Sequence, residues 1–592
     1  MFRIVVLLVF LYGTVIGRLA WIQLIANRDF SKHHVDLVVN SVRQRQQSFV
    51  LSSGRGNIYD RYGYSLIGEK ELLTVIVFPF SKDSIGKDKI ESLAQILQLD
   101  KQSLETQLQN LKKPSYIQEN GQPIAITSSQ QNKIEDLKIQ GVAVSDYQFQ
   151  DQTQMVAKHL IGFLGKDPKE IEEKYQASVE EGLLTKNSLI GRSGLQKTFQ
   201  EILQGTKESK IAYFVDNQGK PMNGLASKYQ IEEDQFYPLS LVTTIDKELQ
   251  QFTEKTMKNE LQKKGLQEGS IVILDAKNAD VLAMASSPDY DLNQINPNSA
   301  NWNNKSVQVI EPGSIFKTLI SVAVLEEGVV RPNEKFYCTG DYGSEKFTCT
   351  KAHGVLTFEE GYAQSCNIVF GEVAKRLGQK KIEEYAEKLG LVGTVGWTGE
   401  FFKQENFQQI DNEQTNRVFY NPTVKKDLGS ILRTGIGQQD VRISPLAAAN
   451  LIVTVLNQGT VYQPRIVKEV DYKNGTEYFQ FPIQRKDSQI GNAATYEEVK
   501  KIMGKVVSEG TGRYLNSAAW ELAGKSGTAE TETKGVYNSW FIGYGPKDNP
   551  KYAVAVAIKN IDSRNLSTWE SDQKLLVAKE IFKEVMDHFA EH

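Results

Sequence analysis

The chain has 592 residues, enough for two to four domains, and a net charge of −3. That balance gives no basic excess of the kind a nucleic-acid binder carries. Three cysteines, Cys338, Cys349 and Cys366, exclude a disulfide framework. Of the six histidines, His33, His34, His588 and His592 lie near the ends, and His159 and His353 have no partner at metal-ligand spacing along the chain. No metal and no cofactor is expected.

Residues Ile4 to Ala26 are apolar apart from Thr14, Arg18 and Gln23, long enough to cross a bilayer if Arg18 snorkels beside Trp21. No small-x-small cleavage site follows, so an uncleaved anchor over residues 1–26 is expected rather than a signal peptide. Arg3 on one side and Arg18, Arg28 and Lys32 on the other leave its orientation open.

Gly54-Arg55-Gly56-Asn57-Ile58-Tyr59-Asp60-Arg61-Tyr62-Gly63 marks tight turns between short strands. Arg55, Asp60 and Arg61 are expected to form a buried ion-pair cluster. Residues 80 to 230 are polar, with helical pieces such as Ile90 to Leu99. Within them, Ala157 to Gly165 reads as a buried strand and turn, with His159 a structural histidine. Gly191 to Phe199 leads into a helix ending near Gly205. The composition changes between Gly224 and Pro238, where a domain boundary is placed.

Leu241 to Asp246 reads as a strand ending in a helix cap, and Ile245, Leu249, Phe252 and Leu261 give the following helix an apolar face. Gly269–Asp275 and Val281–Ala285 form a hairpin around Ala276 to Asp280. Trp540–Tyr544 and Tyr552–Ile558 are a second strand pair, and the last helix carries Leu575, Ala578, Phe582, Val585 and Phe589 on one face. Strands, a helical middle, then strands and a helix describe one sheet with helices on both sides.

Three polar triplets stand out. Pro312 and Gly313 break the backbone before Ser314, and an apolar run from Ile315 to Leu325 reads as a buried helix. Ser314 and Lys317 then share one helical face. A serine hydroxyl needs a base, and burial lowers a lysine toward that role. Read alone, this is equally a capping serine with an exposed lysine. Ser365 and Asn367 flank Cys366 at another helix edge, where an N-cap is the simpler reading. Ala523-Gly524-Lys525-Ser526-Gly527-Thr528 is a small-residue strand in which Lys525, Ser526 and Thr528 suit a carboxylate and Gly527 permits close approach. A phosphate loop is excluded, because its first glycine would fall at Ala519.

Taken in order, Ser-x-x-Lys, Ser-x-Asn and Lys-Ser-Gly match the signature of the β-lactamase and penicillin-binding-protein superfamily. The whole chain resembles a class B penicillin-binding protein. Gly54 to Arg61 and Gly191 to Phe199 are similar to motifs of that family's pedestal, or dimerisation, domain. Glu311 to Ser314, Ser365 to Asn367, Gly435-Ile436-Gly437-Gln438 with Ser444-Pro445, and Lys525 to Thr528 are similar to its transpeptidase motifs.

The resemblance implies an α+β multidomain chain: a transmembrane helix over 1–26, an extended α+β pedestal over 27–230, and a transpeptidase-like domain over 231–592 with a central antiparallel sheet flanked by helices. It implies a serine DD-transpeptidase cross-linking peptidoglycan stem peptides and trapped by β-lactams, with the N-terminus cytoplasmic and the enzyme outside. Catalytic roles fall to Ser314, Lys317, Ser365 and Lys525, and substrate binding to Asn367, Ser526, Gly527 and Thr528. A SEDS-type glycan polymerase and other cell-wall synthesis proteins are implied partners.

No glycosyltransferase domain fits before the pedestal, so a class A protein is not expected. A hydrolase (DD-carboxypeptidase or β-lactamase) and a non-catalytic β-lactam sensor are the alternatives. With two residues between Met1 and the apolar run, an N-terminal output domain is not expected. Gln196 stands where the family has Glu, Lys305 where Arg is common, and Ala279 where a hairpin Gly is usual, so that turn is strained or shifts its positive φ to Asn278. Cys338 and Cys349 flank a turn and are expected close together on the domain surface, bridged or free, and Cys366 is expected as a buried small residue.

Overall fold

The computed structural model describes residues 2–591 except 32–34, 39, 42–45, 80–84, 182, 206–208, 216–227, 231–237, 293, 297–298, 344, 421–426 and 488. Of the Gly224 to Pro238 segment, where the sequence places a domain boundary, only Lys228–Gln230 and Pro238 lie among the described residues.

Helix α1 (Phe2–Leu24) has a mean hydropathy of 2.1 over its most apolar window and buries none of that window. Its length matches a bilayer's hydrocarbon core. Arg18 folds its guanidinium over the Trp21 ring at 4.6 Å, so the one cation within the apolar run is held by an aromatic face.

The chain divides into two compact units that do not follow chain order: residues 1–55, 69–150 and 206–235 form one, and residues 56–68, 151–205 and 236–592 form the other. In the first unit, Glu69–Val77 pairs antiparallel along its length with Val142–Gln150 and briefly with Ser115–Tyr116. Helices Lys87–Leu97, Lys101–Asn110 and Ser128–Asp136 cover this sheet, burying Leu93, Leu97, Leu104, Leu108 and Ile134 against Val75 and Val77. Asp100 caps the second helix through Ser103 N, and Thr127 and Gln130 close a capping box on the third.

In the second unit, the carboxylate of Asp246 accepts from Leu249 N and starts α2 (Lys247–Lys264), which Gly265 ends in the left-handed region. A five-stranded antiparallel sheet follows from β1 (Gly269–Asp275), β2 (Val281–Ser287), β3 (Ala523–Glu530), β4 (Val536–Gly545) and β5 (Tyr552–Asp562), in the spatial order β2-β1-β5-β4-β3. Strand periodicity sorts its side chains to two faces. Ile271, Ile273, Val554, Val556 and Ile558 face α2 and the last helix, α6 (Val577–Glu591). Val272, Leu274, Ala553, Ala555 and Ala557 face the opposite core, which holds α3 (Lys317–Glu326), α4 (Asn367–Leu377) and α5 (Pro445–Leu456). The alanines of β5 meet a helix that is itself alanine-rich, Ala447 to Ala449. Ser444 caps α5, with Pro445 at its first position.

Three local expectations change. Ala157 to Gly165 is a four-residue helix, Lys158–Ile161, followed by strand Leu164–Lys166, because Ala157 and Gly162 both take positive φ and wind the apolar run into a turn; periodicity cannot separate these for a short buried run. Asp60 is buried and its carboxylate accepts backbone N–H groups from Tyr62, Tyr64 and Lys247, while Arg61 is exposed and so is no member of a buried ion-pair cluster. In the β1–β2 hairpin, the choice between a strained turn and a positive φ at Asn278 narrows to strain, since Ala279 itself takes a φ of 61°.

Candidate active site

Ser314 sits in a 3-10 turn, Gly313–Phe316, that runs directly into α3. Ser314 and Lys317, three residues apart across this junction, fall on one side of the helical turn. The turn is pinned on both sides. Gly313 N donates to Gly437 O at 2.9 Å, and Trp540 Nε1 donates to Glu311 O at 2.9 Å. Gly313 has φ +57°, and a Cβ there would lie 2.5 Å from Thr528 O; a Cβ on Gly527 would lie 2.7 Å from Pro312 O. Both glycines are therefore required by close approach of backbone to backbone. Ser314 is half-buried, and the residues before it lie against the Gly527–Thr528 strand.

Lys317 is fully buried. Its Nζ donates to Ser365 O at 2.8 Å, to Asn367 Oδ1 at 2.9 Å and to Ser365 Oγ at 3.3 Å. Burial lowers its pKa to about 7. Lys525, also fully buried, donates to Ser365 Oγ at 2.9 Å and to Ser526 O at 2.8 Å. Burial, and then the nearby charge of Lys317, hold it well below the ordinary lysine range. Two buried lysines thus converge on one hydroxyl. Ser365 adopts a left-handed conformation, φ +57°, rare for a residue with a Cβ and characteristic of strained functional turns.

Ser526 Oγ pairs with Thr511 Oγ1 at 2.7 Å, and Thr528 is exposed on β3, an edge strand. Every site residue singled out from the sequence therefore falls in this cleft or on its rim. Thr511 was missed. It lies in Gly510-Thr511-Gly512, and the bracketing glycines were the available signal. Glu311 was quoted only as part of a motif. It receives Arg442 Nη2 at 2.9 Å and Asn538 Nδ2 at 3.0 Å, tying the segment before Ser314 to two other elements.

The three cysteines and His353 also meet behind this cleft. Cys338 Sγ and Cys349 Sγ each lie 3.6 Å from His353 Nδ1, and Cys349 and Cys366 Sγ atoms are 3.9 Å apart. Cys338 and Cys349 are close, as expected, but Cys338 is buried rather than at the surface, and all three thiols are free. A tetrahedral zinc, with bonds of about 2.3 Å to sulfur and about 2.0 Å to nitrogen, holds its ligand atoms roughly 3.5–3.8 Å apart. Three of the separations, 3.6, 3.6 and 3.9 Å, are close to that spacing, and the four donor atoms, all within 4.8 Å of one another, would need to draw in by up to about 1 Å to meet on one ion. Cys349 is held well below the ordinary thiol range, first by its hydrogen bond with Cys366, which is raised in turn. The expectation of no metal rested on linear spacing, and that premise fails. The hairpin of Lys335–Cys338 with Gly354–Thr357 folds His353 back onto sulfurs distant in sequence. A closed set of three sulfurs and one imidazole leaves no open coordination position, so an ion held there would act as a structural clamp.

A serine beside two buried lysines, a strained serine-asparagine turn and an edge strand with an open threonine defines a serine acyl-transfer site. Comparison with known proteins gives it a lineage. Residues 269–587 match the family described as penicillin binding protein transpeptidase domain, and residues 50–235 match the penicillin-binding protein dimerisation domain. The chain belongs to the penicillin-binding protein transpeptidase family.

Among curated proteins it is similar to stage V sporulation protein D of Bacillus subtilis, 29% identical with 86% of this chain and 74% of that protein covered. Peptidoglycan D,D-transpeptidase MrdA of Haemophilus influenzae is 26% identical, covering 86% and 81%. MrdA of Escherichia coli K12 is 22% identical, covering 93% and 89%. A solved structure titled as a peptidoglycan synthase complex that coordinates polymerization and crosslinking superposes with a TM-score of 0.65 at 22% identity, covering 99% of this chain and 97% of that one.

Proposed function

We infer that this chain is a serine D,D-transpeptidase that cross-links peptidoglycan stem peptides through an acyl-enzyme on Ser314. One observation carries the assignment of roles: Lys317 and Lys525 both reach Ser365 Oγ, and Lys317 lies three residues after Ser314, where the turn of Ser314 enters the helix. Lys317, brought to about 7 by burial, takes the Ser314 proton as the hydroxyl attacks the carbonyl of the penultimate D-alanine. Ser365, hydrogen-bonded to both lysines, carries a proton toward the leaving D-alanine amine. Asn367 orients the substrate amide. Lys525, Ser526 and Thr528 receive the terminal carboxylate, with Gly527 keeping that strand close to the nucleophile. Backbone N–H groups of Ser314 and Thr528 stabilise the oxyanion. The amine of a second stem peptide then resolves the ester. A β-lactam enters as a mimic of the D-alanyl-D-alanine end.

Residues 27–230 serve as the pedestal and residues 231–592 as the transpeptidase domain, anchored by residues 1–26 with the enzyme on the extracytoplasmic side. The apolar α1 supports the anchor. A SEDS-type glycan polymerase is the proposed partner. The likeness to a complex that couples polymerization and crosslinking supports it.

The test is incubation of the purified protein with penicillin, followed by mass spectrometry. One covalent adduct on the Ser314 peptide, lasting many minutes and absent in Ser314→Ala, is expected. Turnover within seconds with release of hydrolysed drug would indicate a β-lactamase. A stable adduct without cross-link formation from stem peptide and acceptor amine would indicate a sensor.

A further inference from the structure

Strand β3 lies at the edge of the five-stranded sheet, with β4 on one side only. Along an antiparallel strand, the main-chain N–H and C=O groups of alternate residues point to the same side. On the side of β3 away from β4 these residues are Ser526, Thr528 and Glu530. Ser526 O accepts from Lys525 Nζ at 2.8 Å, and Thr528 O faces Gly313. Glu530 is covered by a side chain. Turned so that both of its ends are satisfied, the Gln438 carboxamide donates from Nε2 to Glu530 O at 3.3 Å and accepts at Oε1 from Glu530 N at 3.2 Å. That two-point contact is the one a neighbouring strand would make.

Gln438 is held from both sides. Its own N–H donates to Arg433 O at 3.0 Å, in helix Leu428–Thr434. Arg433 Nε donates to Gln439 Oε1 at 2.8 Å, and Arg442 Nη1 donates to Gln439 O at 2.9 Å. On the other side, Gly437 O accepts from Gly313 N, and a Cβ on Gly437 would lie 2.1 Å from Gly313 O. The loop therefore bridges the nucleophile turn and the edge of β3.

The direction of an acyl donor follows from the roles assigned above. Its terminal carboxylate lies toward Lys525 and Ser526, and its scissile carbonyl oxygen lies at Thr528 N–H. The residues before that carbonyl run on toward Glu530, antiparallel to β3, as a peptide added to a sheet edge does. The residue carrying the scissile carbonyl comes opposite Thr528. The residue two places before it comes opposite Glu530, where Gln438 already stands.

We propose that Gln438 is a specificity-determining residue that ends main-chain recognition of the acyl donor at Thr528. The donor is read by its D-alanyl-D-alanine end, and the rest of the stem peptide leaves β3 without pairing to it. The proposal deepens the reading of Ser314 as nucleophile and rests on it.

The probes are two peptidyl penicillins, made by coupling acetyl-glycyl-alanine or acetyl-sarcosyl-alanine to 6-aminopenicillanic acid. The 6-amino nitrogen stands for the nitrogen of the penultimate D-alanine, so glycine or sarcosine falls opposite Glu530. Sarcosine carries a methyl group on its nitrogen and cannot donate to Glu530 O. The second-order rate of Ser314 acylation is measured by mass spectrometry on the full chain in detergent. In the unaltered protein the two probes should react equally, within about twofold, because Glu530 is already paired. In Gln438→Ala the glycyl probe should react about fivefold faster than the sarcosyl probe, the worth of one hydrogen bond. A purely bracing role for Gln438 would change both rates together and leave their ratio at that of the unaltered protein, and that result overturns the proposal. A preference of about fivefold for the glycyl probe in the unaltered protein overturns it as well. Gln438→Ser takes the place of the alanine variant if that one does not fold, and the comparison in the unaltered protein needs neither. Absence of any adduct on Ser314 with both probes overturns the functional reading, and this proposal with it.

Discussion

Lys317 and Lys305 are both buried lysines, and their partners separate them. Lys317 has three acceptors, and burial sets its proton affinity where a base is useful. Because burial favours the neutral amine, the base is available above about pH 7 and protonated below it. Acylation of Ser314 by a penicillin is therefore expected to fall about tenfold per pH unit below 7, and Lys317→Ala should slow it by orders of magnitude at every pH; stopped-flow labelling from pH 5 to 8 measures both.

Lys305 is the opposite case. It is buried, its Nζ makes no hydrogen bond among the described residues, and burial lowers its pKa. The folded state holds its proton less well than the unfolded chain. This group's cost is thus largest at low pH and shrinks as pH rises through the folded value. Replacing it with methionine should stabilise the protein by about 1–3 kcal/mol near neutral pH, read as a rise in melting temperature.

Among the elements, the β1–β2 hairpin makes the sharpest local claim. Ala279 is fully buried and holds φ +61° with its Cβ in place. Ala279→Gly relieves that strain and is expected to be neutral to stabilising by about 1 kcal/mol, the reverse of a usual alanine-to-glycine change, as thermal melting would show. The hairpin, its strands, the cap at Asp246 and the final helix were legible because alternation, helical spacing and capping chemistry are local signals.

The acyl-transfer triplets were legible because their order and spacing carry a superfamily signature. Thr511, the backbone nest around Asp60 and the cysteine–histidine cluster were not. Thr511 meets Ser526, and Cys338 and Cys366 meet His353, only through the fold, whereas Cys349 and His353, four residues apart, and Asp60 with the N–H groups of Tyr62 and Tyr64 are local patterns that were left unread. Ala157 to Gly165 failed for a different reason: a short apolar run is compatible with either a strand or a turn of helix until its flanking φ values are known.

For the whole molecule, α1 lies apart from every site residue in sequence, and its most apolar window buries nothing. Removal of residues 1–34 should yield a protein that needs no detergent, keeps its circular dichroism and still labels at Ser314; loss of labelling in a well-folded product would refute the domain assignment. The packing of the turn before Ser314 reaches further still. Gly313 and Gly527 each stand where any Cβ would strike main-chain oxygen, at 2.5 and 2.7 Å. Main chain does not yield as a flexible side-chain tip does. A lineage under antibiotic selection accordingly cannot drift at either position without dislodging its own nucleophile, and escape from the drug must be sought where the cleft is bounded by side chains.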